Sequence, residues 1–431
     1  MTAAVAVVVF VAAYVLIATE KVHRVAAALG GAAVMLAIGA TDAEHAFYSN
    51  ESGVDWDVIF LLLGMMIIVG IIRQTGVFEY LAIWAAKKAK GRPYRILVML
   101  SVITAVASAF LDNVTTVLLI APVTVLLCER LRVPVPPFLI AIALASNVGG
   151  TATLIGDPPN IIIASRGDLS FNDFLVHLSP IVLVLMVVFL GLVRVLFRHA
   201  FRYDPERVAE VMALDEKETL HDKPLLVRSL AVLAVVIAAF VLHTVLDLEP
   251  SVVALLGAGL LVAITRVTAQ DAINEVEWPT LVFFGGLFVM VGALVEVGVI
   301  EELSEAASEA TGGRLFFASM LLLGVSGVLS AIVDNIPYVA TMSPIVADLV
   351  QNMKGGPTDS TVLWWALALG ADLGGNATAI GASANVVVVG LAERAGHRIS
   401  FWEFTKYGLV VAVVTVGLCA PYLWLRYFAF A

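Results

Sequence analysis

The chain has 431 residues, of which 61% are hydrophobic and 14% charged, and its mean hydropathy is +0.98. Soluble domains carry about 25% charged residues, so this composition excludes an ordinary soluble protein and points to a polytopic membrane protein. The formal net charge of −10 is carried by loops and favours no nucleic-acid partner, and Cys128 and Cys419 are too far apart, in apolar segments, to suggest a disulfide or a thiolate metal site.

The first apolar run, Ala3 to Ala18, has neither a basic leader nor a small-residue cleavage site, and reads as a span that is retained. Crossing about 30 Å of hydrocarbon takes roughly twenty apolar residues. On that measure the runs predict spans near 2–18, 25–40, 58–72, 136–165, 178–197, 226–247, 252–266, 280–298, 361–392 and 405–429. Two further stretches, 94–130 and 314–351, each place an Asp-Asn pair between two apolar arms. The arms look short for full crossings, so each stretch is expected to be a re-entrant hairpin.

Basic residues set the expected orientation. Lys87, Lys88, Lys90, Arg92 and Arg95 precede the first hairpin, and Arg130 and Arg132 follow it. Arg198, Arg202, Arg207, Lys217 and Lys223 lie in the polar stretch 198–225, and Arg394 and Arg398 precede the last span. In the ten-span arrangement all of these share one side, which the positive-inside rule makes cytoplasmic; both termini then face outward from a cell inner membrane. Trp364, Trp365, Trp402 and Trp424 read as interfacial belt residues, and Glu296, His243 and Asp247 as side chains that snorkel outward.

An internal repeat runs through the chain. Trp56 and Trp278, Asp112-Asn113 and Asp334-Asn335, and Pro122 and Pro344 all stand 222 positions apart. Further on, Gly149-Gly150-Thr151-Ala152-Thr153 answers Gly374-Gly375-Asn376-Ala377-Thr378, Asn160 answers Asn385, and Ser170-Phe171 answers Ser400-Phe401. The expected fold is therefore an all-α membrane protein of two repeats, 1–197 and 226–431, joined by a cytoplasmic linker at 198–225. Each copy has five spans plus a hairpin (94–130 and 314–351) and a broken helix (136–165 and 361–392). An odd number of spans per copy inverts the second copy, the arrangement of alternating-access carriers whose site lies between paired interruptions.

The candidate site follows from those interruptions. The hairpins supply Asp112, Asn113 and Thr115, and Asp334 and Asn335. The first broken helix supplies Asn147, Gly149, Gly150, Thr151, Thr153, Asp157 and Asn160; the second supplies Asp372, Gly374, Gly375, Asn376, Thr378, Ser383 and Asn385. Glycines permit unwound backbone, and the amides and hydroxyls offer neutral donors and acceptors. An unpaired carboxylate in hydrocarbon is costly, so Asp112 and Asp334 are expected to carry a proton or a bound cation such as Na+. Helix capping is the plainer role. The recurrence of the acid–amide pair argues against it for Asp112 and Asp334, but less so for Asp157 and Asp372, whose positions hold Ala382 and Asn147 in the other copy. No Lys or Arg falls in the middle of any predicted span, which favours a cation, a neutral hydroxylated solute, or an anion brought in with cations. The sequence contains no Walker A motif, nucleophile–base set or metal-ligand cluster, so no enzyme activity is expected.

Phe110-Leu111-Asp112-Asn113-Val114-Thr115-Thr116, Gly156-Asp157-Pro158-Pro159-Asn160, Val333-Asp334-Asn335-Ile336-Pro337 and Gly381-Ala382-Ser383-Ala384-Asn385-Val386 together resemble the ArsB/NhaD/P-protein branch of the ion transporter superfamily. The resemblance is greatest to bacterial arsenic-transport membrane proteins and the melanosomal P protein, and more distant to the divalent anion/sodium symporters. It implies an elevator-type carrier, a homodimer in lipid, H+ or Na+ as coupling ion, and no organic cofactor. Where the anion symporters carry Ser-Asn-Thr tips, this chain has Asp112-Asn113-Val114 and Asp334-Asn335-Ile336. The leading expectation is proton-coupled efflux of arsenite or antimonite, to which a separate ATPase subunit could dock. The alternatives are a sodium/proton antiporter, and an ion channel or a carboxylate transporter.

Overall fold

The structure is a computed structural model that describes residues 2–19, 21–49, 51–201, 204–352 and 360–429. Arg202 lies outside these residues. The described residues form helices and no strand. The first copy runs α1 (Thr2–Ala18), α2 (Arg24–Ala37), α3 (Ala43–Tyr48), α4 (Trp56–Arg73), α5 (Val77–Lys88), α6 (Pro93–Ser108), α7 (Asn113–Leu131), α8 (Val135–Gly150), α9 (Pro158–Gly167), α10 (Phe171–His177) and α11 (Ser179–Leu196). A short α12 (Pro205–Met212) follows. The second copy is α13 (Lys223–Leu246), α14 (Pro250–Ile264), α15 (Ala269–Asn274), α16 (Trp278–Glu296), α17 (Val299–Ala310), α18 (Leu315–Ile332), α19 (Asn335–Asn352), α20 (Val362–Gly374), α21 (Ser383–Arg394) and α22 (Phe401–Tyr427).

Packing between helices is reciprocal in the two copies. Helix α4 packs on α14 as α16 packs on α2, and α9 packs on α19 as α21 packs on α7. Within each copy, α6 lies on α8 and α18 on α20. The matched Ser-Phe pairs are helix starts: Ser170 accepts from the Asp173 N–H, and Ser400 from the Glu403 N–H.

Among the described residues seven helices are long and apolar enough to cross a membrane, and α7 and α18 are among them at 19 and 18 residues. These hairpin arms are longer than their sequence suggested. Hydroxyls inside the hairpins bond their own helices, as Thr124 does to the Ile120 carbonyl (2.9 Å) and Thr104 to that of Leu100 (2.8 Å), so polar residues do not end them. The short helices α5 and α17, absent from the sequence reading, lead into the hairpins and pack on α7 and α19. Trp364 and Trp365 are 2% and 1% exposed, inside α20 rather than in an interfacial belt, whereas Trp402 is exposed. Glu296 does not snorkel freely; it accepts a 2.6 Å hydrogen bond from Ser52.

The 198–225 stretch also differs from a freely solvated connector. Lys87 Nζ donates to Glu216 Oε2 at 2.6 Å and to the Leu214 carbonyl at 3.1 Å, and the His221 N–H donates to the Thr75 carbonyl at 3.1 Å. Helix α12 packs on α5 and α7. The Lys87 ammonium bound to Glu216 holds that carboxyl below its usual range. A lowered folded-state value stabilises docking above the ordinary carboxylate pKa, about 4.3, and the contribution disappears as pH falls through the folded value. Hydrogen exchange should therefore show lower protection at 216–221 in Glu216→Gln than in the native chain at neutral pH. That difference should shrink as pH falls below the ordinary carboxylate range and vanish once Glu216 is protonated in the folded chain.

Candidate functional site

The two hairpin tips are built differently. Asp112 is fully engaged as the cap of α7: its carboxylate accepts from the Val114 N–H (3.0 Å), the Thr115 N–H (2.9 Å) and Thr115 Oγ1 (2.5 Å). Asp334 accepts from the Ile336 N–H (3.1 Å) and, across a helix boundary, from Ser383 Oγ (2.6 Å). Position 383 is Pro158 in the first copy, so Asp112 has no such partner.

Behind each tip a broken helix is pinned by the same set of contacts. A Cβ on Gly149 would lie 2.3 Å from the Ala105 carbonyl oxygen, and one on Gly374 would lie 2.5 Å from that of Gly327; only glycine lets the broken helix approach its hairpin this closely. Gly150 and Gly375 stand against the carbonyls of Gly156 and Gly381 in the same way. The Thr153 hydroxyl donates to the Ala109 carbonyl, and that of Thr378 to the Ala331 carbonyl (2.6 Å), stapling loop to hairpin. Asn160 Nδ2 donates to the carbonyls of Thr153 (3.0 Å) and Gly150 (3.4 Å), and Asn385 Nδ2 to those of Thr378 and Gly375 (both 2.9 Å). Unwound backbone in a water-free interior needs such donors. Four residues offered as ligands (Thr153, Thr378, Asn160 and Asn385) thus hold the loops in shape.

Between the loops the amides meet. Asn113 Nδ2 donates to Asn147 Oδ1 (3.3 Å), and Asn147 Nδ2 donates to Asn376 Oδ1 (3.0 Å) and Asn385 Oδ1 (3.1 Å), joining the two copies. Thr151 turns its hydroxyl to the Asn147 carbonyl at 2.9 Å. Asn335 Nδ2 donates to both oxygens of Asp157 (3.2 and 3.4 Å). Asp157, Asp372, Asn147, Asn160, Asn376 and Asn385 are fully buried. No hydrogen bond of ordinary geometry reaches either carboxylate oxygen of Asp372, although the side chains of Asn160 and Thr151 lie beside it.

A cavity of about 340 Å³ opens onto this region, bounded by Val114 of the first tip, Asp334 of the second, Ser383 and Arg24. Arg24 donates to Ser383 Oγ and to Thr280 Oγ1, both at 3.3 Å, and its guanidinium lies 5.5 Å from the Phe283 ring centre. This corrects the expectation of a site without basic residues. Arg24 sits one residue before the predicted span 25–40, so a count of charges inside spans passed over it. A basic residue abutting an apolar run was the signal available.

Residues 14–370 match the citrate transporter family. The chain belongs to that family. This member is 57% identical over 424 residues to an uncharacterized transporter of Mycobacterium tuberculosis, with 98% of each chain covered. It is 55% identical to a 46 kDa membrane protein of Mycobacterium leprae, again over 98% of both. Identity to the human P protein is 34%, over 94% of this chain and 58% of that protein. The fold matches the YdaH transporter of Alcanivorax borkumensis at a TM-score of 0.59, with 13% identity and 85% and 84% of the two chains covered. The motif resemblance to the ion transporter superfamily agrees with these matches, and the chain is a multi-pass membrane transporter.

The pinning geometry ranks the amides by consequence. Asn385→Ala removes three hydrogen bonds and should cost roughly 1–3 kcal/mol of stability. Ser383→Ala, at the cavity wall, should cost less. Thermal unfolding in detergent, with Asn160→Ala as the matched variant from the other copy, measures the order.

Proposed function

We propose that this transporter is an ion-coupled secondary active carrier that moves a small oxygen-rich solute through the Arg24–Ser383–Asp334 cavity, with a proton as the coupling ion. The observation that supports this reading is the convergence of both hairpin tips and the second helix break on one cavity of about 340 Å³. An undissociated oxyacid such as arsenite or antimonite presents donors and acceptors at once, and the cavity matches it with Arg24 as donor and Asp334 as acceptor. Efflux of such an oxyacid is the leading reading. Carboxylate transport is the second, favoured by the Arg24 guanidinium, a side chain suited to bidentate carboxylate recognition.

The wider architecture is part of the same proposal. The repeats, 1–197 and 226–431, are read as inverted, with re-entrant hairpins. The hairpins and broken helices form a unit that moves as an elevator against the other spans of a homodimer in the cell's inner membrane, with both termini outside. The reciprocal packing of the two copies supports that reading.

Flux into proteoliposomes tests it. Arsenite, antimonite, citrate, sodium and chloride are each offered with and without a pH gradient. The expected result is saturable movement of arsenite, accelerated by the gradient. Arg24→Gln separates the two readings: a citrate carrier should lose roughly tenfold or more in apparent affinity, whereas arsenite transport should change little. Sodium exchanged for protons without any other solute would identify an antiporter, and unitary currents in a planar bilayer would identify a channel.

A further inference from the structure

The two copies place different residues at one position of the amide network. Asn147 of the first copy corresponds to Asp372 of the second, and the partners of Asn147 correspond as well: Asn385 to Asn160, Asn376 to Thr151, and Asn113 to Asn335. In the first set, Asn147 Nδ2 donates to Asn385 Oδ1 and Asn376 Oδ1. In the second set the same place is taken by a carboxyl, flanked by Asn160 and Thr151. An ionised carboxylate has no hydrogen to give, and Asn160 Oδ1 is left buried without a partner, as are both oxygens of Asp372. Asn335, the counterpart of the amide that donates to Asn147, donates instead to Asp157, an acid that replaces Ala382 of the other copy.

One added proton repairs this set. A protonated Asp372 has the shape of Asn147, and its O–H can donate to Asn160 Oδ1 as the Asn147 amide donates to Asn385 Oδ1. Asp157 keeps its two contacts from Asn335. The other charged groups that face Asp157 are also acids, Asp112 and Asp334 at the hairpin tips. An interior that gathers acids in this way favours the neutral carboxyl at the one member without donors.

We propose that Asp372 carries the exchangeable proton of this transporter, with Asn160 Oδ1 as the acceptor that holds it and Asp157 as the adjacent acid that limits the site to one bound proton. The assignment rests on the carrier reading and names its coupling group. It also reverses the order expected from sequence, where the tip acids ranked first: Asp112 is spent on capping and Asp334 is bonded to Ser383. Release breaks only the O–H bond of the Asp372 carboxyl, returns the proton to water and leaves a carboxylate. Moving that carboxylate through the membrane interior is costly, so the broken-helix unit crosses readily only with the proton in place.

Asp372→Asn installs the residue of the other copy and should fold. Infrared spectra of reconstituted protein should show a protonated-carboxyl stretch in the native chain that is missing from Asp372→Asn. In vesicles loaded with arsenite or citrate, Asp372→Asn should lose accumulation driven by a pH gradient while keeping solute-for-solute exchange. Exchange retained together with undiminished, pH-driven accumulation overturns the proton assignment alone. Native vesicles that exchange neither solute overturn the carrier reading, and the infrared comparison then still decides the protonation of Asp372. If Asp372→Asn does not assemble, Asn160→Ala removes the acceptor instead. The protonated-carboxyl signal should then titrate with a midpoint moved by about one pH unit, and an unmoved midpoint refutes the proposal.

Discussion

Backbone that leaves a helix inside a membrane protein has no water to bond, so every carbonyl it frees must find a donor within the chain. The two helix breaks of this transporter are organised around that demand. Asn160 and Asn385 each close over two loop carbonyls, Thr153 and Thr378 staple the loops to the hairpins, and paired glycines bring the backbones into contact. Where those clamps hold, the amides between the loops can form a dry network with Asn147 at its centre. The fold thus buries this polar network completely, so an ionisable residue placed there depends on partners within the chain.

Much of this was legible in the sequence because duplication marks it. The recurrence of Asp-Asn tips, Gly-Gly breaks and the Asn160/Asn385 pair located every interruption that the fold brings together. What the sequence did not separate was ligand from scaffold. A threonine that staples a loop and a threonine that binds a solute look alike in one chain, and only the Ala109 and Ala331 carbonyls distinguish them. The tip acids recur, and both accept from backbone N–H groups at the starts of α7 and α19. Asp157 and Asp372 do not recur, so their sequence weighed less against a capping role, and that asymmetry leaves one acid without a donor. Arg24 escaped because it lies just outside an apolar run while its guanidinium reaches Ser383 and Thr280 from the end of that run. The linker escaped because its polarity concealed three anchoring contacts to α5 and the turn before it.

The site therefore has two layers with different duties. The outer layer is the cavity, where Arg24, Ser383 and Asp334 form a chain of charge-assisted contacts suited to a small oxygen-bearing solute. The inner layer is the sealed network, where Asp372 stands in for an amide. Solute and proton would then be bound by separate groups on one rigid support, since Asp334 caps α19 and Asp157 is held by Asn335 of the same helix. In the proposed carrier the two would be coupled without direct contact, through the cost of moving an uncompensated acid.

The most direct test of this account is a cryo-EM structure of the protein in lipid, at a resolution that places side-chain oxygens and waters, determined at neutral and at strongly alkaline pH. The account predicts that at neutral pH a carboxyl oxygen of Asp372 lies about 2.7 Å from Asn160 Oδ1, a separation of two acceptors that requires a proton between them, and that the contact opens at alkaline pH. An ordered water or a metal ion between Asp372 and Asn160 at neutral pH, with no change on raising the pH, would contradict it.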